Sequence, residues 1–158
     1  MGTISKAKGF TLIELVIVII ILGILAVTAA PKFINLQKDA RISTLQGLEG
    51  AIKGGASLVY SKAAIAGKET GTSSVAIGTG TVNIVSGYPD SANFAADLGN
   101  WLDISATSSA TATDADWYVN DNEISPAGYA NGSTCKAVYS QSTGDGESPT
   151  VAIVSDGC

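Results

Sequence analysis

Residues 8–33 read KGFTLIELVIVIIILGILAVTAAPKF. Residues 10–30 form a run of 21 whose only charge is Glu14. At 1.5 Å rise per residue, a helix of that length covers about 31 Å, the thickness of a bilayer's hydrocarbon core. A membrane-spanning helix is therefore written in one block. Ahead of it, MGTISKAKG (residues 1–9) is a short basic leader, too polar to enter lipid. Near its far end, Pro31 removes a backbone donor and crowds the preceding turn, and Gly23 lowers helix propensity by about 1 kcal/mol relative to alanine. The span is weakest between those two residues.

Beyond Pro31 the apolar positions change from a block to a stripe. Phe33, Leu36, Ala40, Leu45, Leu48, Ile52, Ala56, Val59 and Ala63 recur at helical spacing, which predicts an amphipathic helix over 31–66 with one face available to pack on a globular head. Gly67 and Gly71 mark its end. Further on, the composition turns to strands and turns. Short β segments are expected at 75–77 and 82–85 around GTGT, with a helix start at Pro89-Asp90-Ser91 for Phe94, Leu98 and Trp101. A hairpin at 117–119 and 123–125 and β-branched strands at 135–141 and 150–154 follow. ATSSATAT (106–113) has too little apolar bulk to specify structure and reads as a surface loop. The division is a leader (1–9), a transmembrane half-helix (10–30), an amphipathic half-helix (31–66) and a head (67–158). The fold class is α+β.

Charge sharpens the functional reading. From residue 70 onward ten acidic side chains face Lys136 alone, which argues against nucleic acid as a partner. Between Lys32 and Lys68 six basic residues outnumber Asp39 and Glu49. A basic stem and an acidic head can attract one another between neighbouring copies. The chain has no histidine, which excludes histidine-based triads and histidine-ligated metals. GTGT lacks the lysine of a phosphate-binding loop. Asp114, Asp116, Asp121 and Glu123 are not spaced as a calcium loop and read as a solvated acidic segment. Asn131-Gly132-Ser133 matches a glycosylation acceptor, but Asn-Gly is a turn signal first. No cofactor or metal is expected. Cys135 and Cys158, behind a membrane-crossing segment, fit one disulfide made in an oxidising compartment, two free thiols being the alternative. The basic residues flanking the span do not settle its orientation, so the cysteines are the better sign that the C-terminal part is exported.

The block KGFTLIELVIVIIILGILAVTAAPKF resembles the N terminus of type IV pilins and pseudopilins. That resemblance implies cleavage between Gly9 and Phe10 by a prepilin peptidase, methylation of the new Phe10 amine, and a mature chain whose fifth residue is Glu14. A carboxylate in an apolar helix is costly in hydrocarbon and calls for a partner. The freed Phe10 amine of an adjacent copy can supply it inside a filament core, where little water screens the attraction. In the membrane before assembly, Glu14 instead stays protonated or reaches the headgroups. The stretch between Gly23 and Pro31 loses helical order in resembling filaments; the plainer reading is a kink ending the span. An ordinary signal peptide, cut after Val27-Thr28-Ala29, is the competing interpretation, but its apolar region would be too long and would contain Glu14.

Past the span, AAPKFINLQKDARISTLQGLEGAIKGGASLVYSKAAIAG resembles the major pilins of mannose-sensitive haemagglutinin (MSHA) pili, a type IVa group of marine gamma-proteobacteria. The implied fold is a long N-terminal helix packed on an antiparallel sheet, with a C-terminal region bounded by Cys135 and Cys158. The implied role is surface attachment and biofilm initiation. Partners would be other copies of the chain, the peptidase, the inner membrane and its pilus assembly machinery, and surface glycans. The runner-up is the major pseudopilin of type II secretion, which typically relies on calcium rather than a disulfide. A membrane-tethered enzyme would need a catalytic cluster, and none is visible in the sequence.

Overall fold

The computed structural model describes residues 9–109, 111–112, 114–129 and 134–158, with the side chains of all but residues 34 and 35. The chain divides into two compact units, the first ending at Ala40 and the second comprising Arg41–Cys158. Helix α1 (Leu12–Ile65) contributes to both.

In the first unit α1 opens with a reciprocal cap. The Glu14 amide donates to Thr11 Oγ1 at 3.3 Å, and Glu14 Oε2 accepts from the Thr11 amide at 2.8 Å. The pattern Thr-x-x-Glu thus satisfies two of the amides that a helix start leaves without partners. α1 continues through Pro31, although the ring withholds the amide that would bond four residues back. One turn earlier, the Thr28 hydroxyl bonds the Leu25 carbonyl at 3.0 Å. The large apolar side chains of residues 10–27 are exposed, and the helix is long and apolar enough to cross a membrane.

The second unit is built around the remainder of α1. Leu45, Leu48, Ile52, Ala56, Val59 and Ala63 are buried, as their spacing predicts. Phe33, Leu36 and Ala40, at the start of the predicted stripe, lie in the first unit and are exposed within it, Phe33 and Leu36 at 66% and 61%. Helical periodicity puts residues on one face without saying whether anything packs there. α1 ends in a Schellman motif, with Lys68 N bonding Ala63 O at 2.9 Å and Gly67 N bonding Ala64 O at 3.0 Å. Gly67 takes φ +64°, the left-handed value that glycine adopts without strain.

Two sheets follow rather than one. β1 (Thr72–Ile77), β2 (Gly80–Val85) and β3 (Tyr88–Pro89) form an antiparallel three-stranded sheet. A 3-10 turn (Ser91–Asn93), capped by the Asp90 carboxylate on the Ala92 amide at 3.0 Å, leads into α2 (Phe94–Trp101). The second sheet has order β4 (Ala106–Thr107), β5 (Trp117–Asn120), β6 (Glu123–Pro126), β7 (Lys136–Ser140), β8 (Thr150–Val154). β4 pairs parallel to β5 and the other neighbours are antiparallel. The start of the predicted loop 106–113 is therefore a short edge strand, positioned by Ser105 O, which accepts from the Asp116 and Trp117 amides at 3.1 and 3.0 Å. Two residues carry too little pattern to announce a strand.

Aromatic packing joins these parts. Phe94 stacks on Tyr139 at 4.6 Å and meets Trp101 edge-on at 5.7 Å. Trp101 lies so close to Gly55 that an added Cβ there would sit 2.8 Å from indole Cε3. Asp97 ties α2 to β2 by accepting from the Asn83 amide and side-chain nitrogen at 2.7 and 3.0 Å. The Gln141 side chain takes hydrogen bonds at 2.9 Å from both the amide and the hydroxyl of Ser91. These contacts pair the polar atoms of Asp97, Asn83, Ser91 and Gln141, as a low-dielectric interior requires, while Trp101 Nε1 and Glu69 Oε2 are buried without a hydrogen-bond partner among the described residues.

Candidate functional site

The residues singled out by the sequence lie at three places. At the N-terminal end of the described chain, Gly9 and Phe10 precede the helix, exposed and unstructured, with Phe10 89% exposed. An added Cβ at Gly9 would meet nothing within 4 Å. An accessible dipeptide lying outside a capped helix leaves its peptide bond open to a peptidase. Glu14 sits one turn on, in the first turn of α1. One of its oxygens takes both hydrogen bonds, from the Thr11 amide at 2.8 Å and the Thr11 hydroxyl at 2.6 Å. The other oxygen remains able to accept from a cation. Thr11 was missed by the sequence reading, although the Thr-x-x-Glu spacing was its signal.

Gly23 and Pro31 both lie within α1. The isolated chain keeps this stretch helical, and nothing lies within 4 Å of a Cβ built at Gly23.

The third place is the C-terminal closure. Cys135 and Cys158 form a disulfide with a Cα separation of 4.8 Å across 23 positions of sequence. A loop of that length corresponds to about 3 to 3.5 kcal/mol in the chain-entropy picture. Arg41 reinforces it: its guanidinium donates to the Cys158 carbonyl at 2.9 Å and lies 5.1 Å from the centre of the Tyr129 ring. The Gly157 amide bonds Thr134 O at 3.1 Å. No spacing rule pointed to Arg41, because the contact joins residues 117 positions apart.

The acidic segment is dispersed. Glu123 pairs with Lys136 at 2.6 Å, and Asp121 occupies the β5–β6 turn with φ +51°. No three carboxylate, histidine or cysteine side chains converge as a metal site among the described residues. Asn131-Gly132-Ser133 and residues 1–8 of the leader fall outside the described residues.

An exposed apolar helix led by a capped carboxylate, joined to an α+β head closed by a C-terminal disulfide, defines the pilin-like class of subunit. Comparison with known proteins agrees. The model of the prokaryotic N-terminal methylation motif matches residues 4–30. The type IV narrow pilus major component PilA5 of Thermus thermophilus is 46% identical over 48 residues, 30% of this chain and 41% of that protein. Fimbrial protein EcpC of Eikenella corrodens is 48% identical over 54 residues, covering 34% and 35% of the two chains. The type IV major fimbrial protein FimA of Dichelobacter nodosus is 32% identical over 115 residues, 61% of this chain and 69% of the relative. The chain thus spans less than half the length of the first two and about two thirds of the third. No solved structure matches it. The chain belongs to the type IV pilin family.

Proposed function

We propose that this chain is a prepilin, cut between Gly9 and Phe10 by a prepilin peptidase and methylated on the new Phe10 amine. Residues 10–30 hold it in the inner membrane until assembly machinery transfers it to an extracellular filament of identical copies. The assembly contact is the Phe10 amine of an incoming copy against the Glu14 carboxylate of a neighbour. The observation that carries this reading is the placement of Glu14, the one charge of residues 10–30, one turn into the helix from an exposed Gly9-Phe10 that lies outside it. In a filament core the pair is shielded from water and the attraction is correspondingly strong. Within the type IVa pilins, the stem from residue 29 to 67 favours the MSHA group, whose role is surface attachment and biofilm initiation, with surface glycans as candidate targets. The stretch between Gly23 and Pro31 is the part of the helix that gives way in the filament. The relatives named above are pilus and fimbrial components, which favours this reading over a type II secretion pseudopilin and over an enzyme.

Mass spectrometry of fibres sheared from the cell surface tests it. A mature chain beginning at methylated Phe10 is expected. A chain beginning at residue 30 or 31, as a signal-peptidase cut would leave, overturns it.

A further inference from the structure

In the second unit an apolar groove of about 310 Å³ runs beside the last turns of α1, lined by Gly55, Leu58, Ile65, Ile77 and Trp101, with Lys62 on its rim. Leu58 and Ile65 are 70% and 84% exposed, and they are the only large hydrophobic side chains so exposed among the described residues of this unit. Beside the groove, Gly54 has open space where a Cβ would stand, so another backbone can approach α1 closely there. A soluble surface carries such a patch when something covers it.

Charge points to the covering surface. The other cations of this unit are engaged within it: Arg41 with Cys158 and Tyr129, Lys53 with Glu49, Lys68 with the Ser74 carbonyl, Lys136 with Glu123. The Lys62 side chain makes no ion pair or hydrogen bond among the described residues. Exposed Asp103, Asp114 and Asp116 stand at one end of the parallel β4–β5 pair and make no ion pair among the described residues either. Ala115 and Trp117, half buried, lie between and beside them.

We propose that this groove seats a second copy of the chain, which presents its acidic β4–β5 edge to Lys62 while its Ala115–Trp117 segment covers Leu58 and Ile65. The inference rests on the filament reading. Two different surfaces of one chain meeting head to tail make a heterologous contact, which propagates an open array rather than closing a dimer. Apolar burial supplies the attraction and the charges fix the register.

The test uses the full chain in fibre-producing cells. A photoreactive phenylalanine analogue at Leu58 should cross-link to a peptide of a second copy containing Asp114 and Asp116. Lys62→Glu should lower fibre yield by about tenfold through like-charge opposition, with the Cys135–Cys158 disulfide still formed. Adding Asp116→Lys to Lys62→Glu should restore the yield. Fibres that form normally while the cross-link maps to another segment, or while Lys62→Glu has no effect, overturn the docking but leave the filament reading intact. A wild-type chain that makes no fibres overturns the filament reading, and the docking with it.

Discussion

At the scale of single residues, Glu14 was legible because a charge inside an unbroken apolar run stands out without any structure. Its second role was not, since the Thr11 cap becomes visible only when the helix start is placed. The two roles separate by mutation. Glu14→Gln keeps an oxygen for the Thr11 amide and loses the charge, whereas Glu14→Ala loses both. Both variants should insert and be cut, yet both should give scarce fibres and an accumulating membrane pool. Electron microscopy at matched subunit levels checks this, and normal fibre density in both would remove the charge pair from assembly. Tyr139 offers a test within the head. Its hydroxyl donates to the Pro89 carbonyl at 2.7 Å, and burial, with smaller contributions from Asp90 and Tyr88, pushes the phenol well above its ordinary value. As pH rises past about 10, the unfolded phenol ionises while the folded one keeps its proton, so the native state binds more protons and stability falls. Tyr139→Phe should flatten that alkaline decline while costing about 1 to 3 kcal/mol at neutral pH, because the Pro89 acceptor is left buried and unpaired. Denaturant unfolding followed from neutral to alkaline pH measures both effects.

At the scale of elements, α1 was legible in its outer half from the unbroken apolar run and in its inner half from the 3.6-residue stripe. Phe33, Leu36 and Ala40, which continue the stripe but fall in the first unit and are exposed there, mark the limit of periodicity, which records a face and not its cover. Among the head elements, those with alternating β-branched residues or a cap signal were found close to their true bounds. β4 was missed because its pairing depends on Ser105 and on strand β5, not on its own composition. The glycines of α1 make the same point. Gly55 looks no different in sequence from Gly50 or Gly54, yet a Cβ at Gly55 would press on Trp101 and its carbonyl, while at the other two it would meet nothing within 4 Å. Gly55→Ala should therefore destabilise the detergent-solubilised chain by about 1 to 3 kcal/mol through overpacking. Gly50→Ala and Gly54→Ala should each stabilise it by up to about 1 kcal/mol through helix propensity and a less disordered unfolded state. Thermal unfolding monitored by circular dichroism distinguishes the opposite signs.

At the scale of the whole molecule, the fold class followed from the order of patterns: leader, span, stripe, strands, two late cysteines. The division of the strands into two sheets could not be read, since strand order depends on contacts remote in sequence. The bond between Cys135 and Cys158 was legible only as far as two cysteines behind a membrane-length apolar segment allow. The Arg41 clamp on the same terminus was not legible at all. Cys158→Ser should lower the stability of the head by about 2 to 5 kcal/mol, with membrane insertion unchanged and protease sensitivity raised in the head. Unchanged protease resistance and fibre number would assign the disulfide no structural weight.

The burial of Leu45, Leu48, Ile52, Ala56, Val59 and Ala63 along α1 has a mechanical consequence. A pull transmitted through this helix reaches the head along its spine and loads those six side chains together, in shear, rather than prising the sheets apart strand by strand. Shear on an interdigitated core resists until the contacts fail in concert, because close-packed interiors yield little to small displacements. Under such a load the packed part of α1 is the stiff part, and the weak stretch proposed between Gly23 and Pro31 is where extension is expected to begin.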